Sequence, residues 1–333
     1  MNRREFIAGL FTAVAVGTTR THAGFTDQSG QQQPGKSAIP RRILGKTGVQ
    51  VSALVLGGFV AMKDPPTAKF HPAELANAAL DAGINYFDTA PAYGNGQSEH
   101  NFGQVLSTRR KEVFLATKTG SRSYEGAIRD VEASLKRLRT DHLDLLQIHG
   151  TKGDEDLARW DKPDGVLKAL YKLRDEKVTR FIGVTGHESA EVMSRAIELF
   201  DFDTVLTTFN PAGRRRPYQQ LVIPAAHSKK MGILAMKVMG GGYGSLAIGN
   251  PIKNDGVSYH DEAPGQAEAE LLIRYVLGLP ICAAVVGVGS LEHLRLNVAA
   301  ASTKPPLTAE QRKALEQRMA KEAAPISDGP PSL

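Results

Sequence analysis

Several broad classes are set aside by what this chain has little of. Its 333 residues hold one cysteine, Cys282, so no intrachain disulfide can form and a disulfide-stapled scaffold is excluded. Aromatic residues make up 6%, with Trp160 the single tryptophan, and no long basic stretch is interleaved with aromatics. That argues against a nucleic-acid surface. No apolar run reaches the roughly 20 residues a transmembrane helix needs, so stable membrane insertion of a mature chain is not expected. Clustered metal ligands are also missing, because only His149 and His187 fall at the ends of strand-like runs. A metal-dependent hydrolase is therefore disfavoured and no metal is expected.

What remains reads as an ordinary globular protein. Hydrophobic residues make up 41% and charged residues 23%, close to average usage. The net charge of +6 owes part of its excess to Arg3, Arg4 and Arg20 against Glu5. Arg214, Arg215 and Arg216 form the one tight basic cluster, read as a solvated loop. Cys282 lies in the apolar run Ile281–Val286 with no charged neighbour in sequence, which marks it as a small buried thiol.

The chain divides into four parts. Residues 1–23 combine Arg3-Arg4-Glu5-Phe6, an apolar stretch from Ile7 to about Gly17, and a small-residue exit at Thr21-His22-Ala23. This order is that of a secretory signal, and the paired arginines resemble a twin-arginine signal. The resemblance implies a periplasmic protein handled by the twin-arginine export machinery; a cytoplasmic one is the alternative. Residues 24–39 are rich in Gln, Gly and Ser and read as a flexible leader. Residues 40–322 carry the fold, and 323–333 a frayed tail.

From Pro40 onward the pattern is regular. Arg41–Val51 reads as a β-hairpin. Short apolar runs follow at Leu54–Gly58, Tyr86–Thr89, Val113–Thr117, Leu143–Ile148, Phe181–Val184, Val205–Phe209, Ile233–Lys237 and Ala283–Val286. Helical stretches separate them: Pro72–Ala82, Ser98–Leu106, Tyr124–Leu138, Gly165–Glu176, Ser189–Phe200, Tyr218–Lys230 and Glu268–Leu277. The pair Leu291–Ala300 and Thr308–Glu322 closes the chain. Strict alternation of strand and helix implies a parallel sheet. Runs that are apolar throughout imply strands covered on both faces. Eight such units predict an α/β fold, a (β/α)8 TIM barrel with an N-terminal β-hairpin. An open doubly wound sheet is the runner-up, weakened because no G-x-G-x-x-G follows the first strand.

In such a barrel the site lies at the carboxyl-terminal strand ends. Asp88 ends the second strand and Tyr93 follows it; Lys118 ends the third and His149 the fourth. Reduction of a carbonyl needs hydride at carbon and a proton at oxygen. A tyrosine beside an ammonium is an acid whose pKa is lowered toward working pH. An aspartate keeps that ammonium charged and aimed, and a neutral histidine orients the substrate oxygen. Tyr93, Lys118, Asp88 and His149 supply these parts.

These residues carry a resemblance. The runs Arg42–Gly48, Phe87-Asp88-Thr89-Ala90-Pro91-Ala92-Tyr93-Gly94 with Ser98-Glu99, Thr117-Lys118, Asp144–His149 and Ile182-Gly183-Val184 are similar to those of the aldo-keto reductases, over residues 40–320. The resemblance implies a reductase of small-molecule aldehydes or ketones using NADPH, or less often NADH, with the same four residues as its catalytic tetrad. Two alternatives share that frame: oxidation of a sugar or alcohol, and a non-catalytic nicotinamide-binding redox sensor. Candidate cofactor contacts are Gly57, Thr185, Asn210, Lys237, Gly240, Gly287, Gly289, Ser290 and Asn297. Among these, Lys237 suits a pyrophosphate, Gly240–Gly242 a flap or a merely flexible loop, and the Gly287–Ser290 turn a phosphate. Three positions depart from the family. Gly186 stands where an Asn is usual, with His187 either its substitute or a helix-start residue. Leu206 replaces a Gln, and His293 an Arg that holds the 2′-phosphate. Substrate choice would fall to the loops Gly57–Phe70, His149–Asp164 with Trp160, Asn210–Pro217 and Gly240–Pro264, with Asn250–Gly265 as a lid.

Overall fold

The computed structural model describes residues 39–212, 215–240 and 267–322. The signal and leader readings, the tail, Arg214, Gly241, Gly242 and the Asn250–Gly265 lid lie outside the described residues.

The hairpin comes first. Strand β1 (Arg41–Ile43) pairs antiparallel with β2 (Gln50–Ser52), with Arg41 opposite Ser52. Its turn brings Gly45, at φ 52°, so close to the barrel that a Cβ there would lie 2.2 Å from the Gly232 nitrogen. Only glycine accepts both that φ and that approach. Leu44 and Val51 are fully buried among Val55, Tyr86, Phe114, Leu145, Leu206 and Leu234 in the barrel interior. The hairpin thus plugs the base of the barrel.

The eight barrel strands are β3 (Leu54–Gly57), β4 (Tyr86–Asp88), β5 (Phe114–Thr119), β6 (Leu143–Ile148), β7 (Thr179–Gly186), β8 (Thr204–Thr208), β9 (Gly232–Met236) and β10 (Ala283–Val286). They close in the order β10-β3-β4-β5-β6-β7-β8-β9, and every neighbouring pair is parallel. Alternation decides which side chains enter the barrel. Tyr86, Phe114, Ala116, Leu145 and Leu206 point inward, while Phe87, Leu115 and Leu146 pack against the helices. At the same spacing Asp88, Lys118 and Gln147 fall on the inner face.

The helical shell follows the sequence reading with three differences. The helix expected at Ser98–Leu106 runs Gln97–Arg109. The stretch Tyr218–Lys230 divides into a π-turn, Tyr218–Val222, and an α-helix, Ile223–Ser228. Pro224 has no N–H to give to the preceding turn, which favours that wider winding. A short helix, Asp154–Trp160, stands where only a loop was read. Its Trp160 is fully buried against Phe200 and Phe202, with ring centres 5.6 and 6.2 Å away, and so belongs to the packed shell. Ser123, Ser189 and Ser290 cap their helices by accepting from the backbone N–H groups of Gly126, Val192 and His293. Among the described residues no helix is long and apolar enough to cross a membrane.

Candidate active site

Three neighbouring strand ends bring four side chains to one mouth. Asp88 closes β4 and Lys118 lies one residue before the end of β5, at 2% and 1% exposure. Lys118 Nζ donates to Asp88 Oδ1 at 2.6 Å and to the Thr89 carbonyl at 2.7 Å. The same ammonium stands 4.9 Å from the centre of the Tyr93 ring. Tyr93 reaches this place on a tight turn in which Gly94, Asn95 and Gly96 all have positive φ before the helix Gln97–Arg109 begins. Gly94 is required twice over: its φ is 59°, and a Cβ there would stand 2.2 Å from the Lys63 carbonyl. His149, just beyond β6, meets the Tyr93 ring edge-on at 5.7 Å, and Phe59 meets it from the other side at 5.2 Å. The four residues read from sequence are therefore brought together.

The electrostatics differ from the expectation in one respect. Burial pushes the Tyr93 phenol above its ordinary value, and Asp88 adds to this; Lys118 opposes both without reversing them. The ammonium does not bring the phenol down, because removing it from water costs more than the neighbouring charge returns. Burial also works against the charge on Lys118, but Asp88 and Tyr93 outweigh it and raise its pKa. His149 is pushed down to about 3 by burial, with Lys118, His187 and Arg122 adding to the shift. It is a neutral imidazole at physiological pH. His187, at the end of β7, is likewise lowered to about 4 by burial and by Lys237 and Arg215.

The candidate cofactor residues have differing surroundings. Thr185 is buried, and its hydroxyl accepts from the Gly150 N–H at 3.0 Å, fixing the peptide after His149. Asn210 is buried with both ends of its amide engaged. Nδ2 donates to the Lys237 carbonyl at 3.0 Å and Oδ1 accepts from the Ala212 N–H at 3.1 Å. Lys237 itself adopts φ 54°, and Gly240 φ 101°, so the chain after β9 is held in a conformation costly for a lysine. Gly57 is buried at the end of β3, and Gly287 stands where a Cβ would meet Val60 Cγ2 at 2.3 Å. Gly289 is exposed, and Ser290 opens the twelve-residue helix Leu291–Ser302. Asn297 is buried between that helix and the barrel, beside Leu54, Leu56 and Val286.

Three further features of the mouth were not read from sequence. Gln147 Nε2 donates to Asp88 Oδ2 at 2.9 Å. Arg122 pairs with Asp156 through two bonds, of 2.6 and 2.8 Å, and also donates to the carbonyls of His149 and Gly150. It fastens the helix Asp154–Trp160 to the ends of β5 and β6. Phe59, 47% exposed, walls Tyr93. The signal for Gln147 was present: two residues before His149 on a strand, it shares the inner face.

Two minor readings are corrected. The basic cluster is not simply solvated: Arg215 donates to the His187 carbonyl at 3.1 Å, and Arg216 pairs with Glu316. Cys282 does have a charged neighbour in space, Arg42, but burial outweighs it and raises the thiol pKa. The thiol is half-buried and inert at neutral pH.

Comparison with known proteins agrees with this geometry. The sequence model of the Aldo/keto reductase family matches residues 53–319. An uncharacterized oxidoreductase of Bacillus subtilis, YqkF, is 28% identical over 305 residues, covering 83% of this chain and 95% of that protein. The holo form of the aldo-keto reductase AKR11C1 from Bacillus halodurans superposes with a TM-score of 0.69 at 25% identity, covering 87% of this chain and 99% of its own. An aldo/keto reductase from Klebsiella pneumoniae, solved with NADP and acetate, shares the fold with a TM-score of 0.64 at 24% identity, over 86% of this chain and 98% of its own.

Proposed function

The chain belongs to the aldo/keto reductase family, and from that premise we propose that it reduces an aldehyde or ketone to an alcohol with NADPH, Tyr93 delivering the proton. The observation that carries this reading is the gathering of Tyr93, Lys118, Asp88 and His149 at one mouth, with Lys118 2.6 Å from Asp88 and 4.9 Å from the Tyr93 ring.

The donor set fits an anionic dinucleotide. Lys237 and Arg215 bring positive charge to the mouth, where the Lys118 charge is balanced by Asp88, and the helix opening at Ser290 presents the positive end of its dipole. Glycines at 57 and 287 let the two strand ends and Val60 pack closely beside that helix, since a Cβ at 287 would stand 2.3 Å from Val60 Cγ2. Support for NADPH also comes from the Klebsiella relative with NADP. Lys237 and the Gly287–Ser290 turn would hold the phosphates, and Thr185 and Asn210 would face the ring end. When bound, the nicotinamide supplies hydride to the carbonyl carbon.

The protein's own residues do the rest. His149, neutral at working pH, donates an N–H to the carbonyl oxygen and orients it. Tyr93 keeps its proton at neutral pH because burial raises it, and it passes that proton to the oxygen as negative charge develops there. Lys118, held by Asp88, then faces the phenolate and stabilises it. Solvent restores the phenol proton after the alcohol leaves. Running the same steps backward is alcohol oxidation. A resting phenol that carries its proton is the form from which reduction starts.

A titration with NADPH and NADH, followed by cofactor fluorescence, and an NADPH-oxidation assay over a panel of aldehydes and ketones test this. Binding of NADPH with turnover of at least one carbonyl is expected. Binding with no turnover across the panel would overturn the reductase reading in favour of a sensor. Export by the twin-arginine route is proposed on residues 2–23 alone; recovery of all mature protein in the cytoplasm would overturn it.

A further inference from the structure

We propose that Gln147 is a positioning residue for proton delivery, its amide pinning the second oxygen of Asp88 so that Lys118 stays aimed at Tyr93. The inference rests on the reading of Tyr93 as the proton donor.

Asp88 is held from two strands. Lys118 of β5 takes Oδ1 at 2.6 Å, and Gln147 of β6 takes Oδ2 at 2.9 Å. The carboxylate dictates which way the amide points, because the opposite orientation would set Oε1 against a second acceptor. In the orientation present, Gln147 is fully buried and its Oε1 meets no hydrogen-bond donor among the described residues. An unpaired buried amide oxygen costs folding free energy. A leucine of similar size would remove that cost but leave Oδ2 of the buried Asp88 without its donor, so the glutamine is there for the carboxylate. Room for the side chain is made by Gly183 on β7, where a Cβ would lie 3.3 Å from Gln147 Cγ and 2.3 Å from Thr204 Oγ1. The amide has one polar partner, and that partner belongs to the tetrad.

The consequence reaches Tyr93 through two steps. With Oδ2 released, the Asp88 carboxylate can turn about its Cβ–Cγ bond and draw the Lys118 ammonium away from the phenol. Its charge is also less neutralised, and that charge opposes phenolate formation, as burial does. Both effects move Tyr93 ionisation to higher pH. The titratable groups facing Tyr93 are Asp88 from β4, Lys118 from β5 and His149 after β6; His149 is in turn influenced by His187 and Arg122.

The test compares the full-length wild type with Gln147→Leu and Gln147→Glu. The first readout needs no activity: 3-fluorotyrosine is placed at position 93 and its 19F resonance is titrated in the cofactor-free protein. Gln147→Leu is expected to move that titration up by about one pH unit, the scale of a hydrogen bond to a charged group. The second readout is NADPH-dependent reduction of 4-nitrobenzaldehyde. Here kcat is expected to fall about tenfold with KM for NADPH unchanged. In Gln147→Glu the introduced carboxyl, while protonated, donates to Asp88 as the amide does. It is expected to restore the wild-type rate at acidic pH and to lose it as it ionises, and it serves alone if the leucine variant folds poorly. An unmoved fluorine titration in Gln147→Leu, or no acid-side rescue in Gln147→Glu, overturns the proposal. A shifted titration in a protein whose wild type reduces no aldehyde would instead sink carbonyl reduction and leave the positioning role standing.

Discussion

Asp88 and Asp144 are both buried aspartates on the strands of one barrel, and they are used in opposite ways. Asp144 stands near the start of β6, at the base. Its Oδ2 accepts from Arg110 at 2.8 Å and from the Leu115 N–H at 2.9 Å, and its Oδ1 accepts from Arg180 at 2.7 Å. Arg180 reaches outward with half its side chain in solvent, while Arg110 lies partly covered at the edge of the base. The result is a tie across β5, β6 and β7. Asp88 stands at the other end, shut in with Lys118 and Gln147, and the ammonium it holds faces a phenol. A carboxylate whose partners lead to the surface serves the fold. One whose partner leads to the Tyr93 phenol is placed for the chemistry proposed above, in a less satisfied surrounding, seen in the lone Oε1 of Gln147.

The largest effect should come at the mouth. Tyr93→Phe is expected to lower kcat by about 10²–10⁴-fold, the usual range for losing a general acid, while NADPH binding and melting temperature stay as in wild type. Wild-type turnover in this variant would break the contrast at its chemical end. Next, Asp144→Ala should cost about 2–3 kcal/mol in urea unfolding, toward the low side for a buried pair because Arg180 is half-exposed, with kcat per folded molecule unchanged. A fall in kcat equal to that in Asp88→Asn would erase the division between base and mouth.

Acid sharpens the same contrast. His149 and His187 have folded pKa values lowered to about 3 and about 4 from 6.5. Below pH 6.5 the unfolded chain takes up protons that the folded mouth refuses, so stability falls as pH drops from about 6.5 toward 4. The slope approaches about 1.4 kcal/mol per pH unit for each histidine. Thermal melts between pH 4.5 and 7 should show this, and His149→Gln should flatten it; an unchanged slope would mean that burial of this ring is not what acid acts on. The smallest effect is expected for Ser290→Ala, which removes a helix cap and should cost about 1 kcal/mol of stability, read in the same urea titration.

Much of this was legible beforehand, for reasons that also explain the gaps. The eight strands show themselves as short apolar runs because both faces of each are covered. The tetrad shows itself because ionisable residues at the ends of such runs are conspicuous. Trp160 hid its helix, since Asp154–Trp160 offers only Leu157, Ala158 and Trp160 as apolar positions in seven residues, too short a run for a helical period. Gln147 was masked by the apolar company of Leu145, Leu146 and Ile148. The balance at Tyr93 was misjudged because a sequence names the neighbouring charge but not the depth of burial that outweighs it. Arg122 gave no signal at all, as its partners are backbone carbonyls and an aspartate 34 positions away.

The stopper formed by Leu44 and Val51 gives the molecule a closed heel and a single working face. Ile39, the first described residue, leads into the hairpin at the heel, at the opposite end of the barrel from the tetrad. A handle attached there, whether a purification tag or a tether to a solid support, would leave the opposite face free to meet dissolved reactants. Immobilised through that end, the protein should turn over as it does in solution.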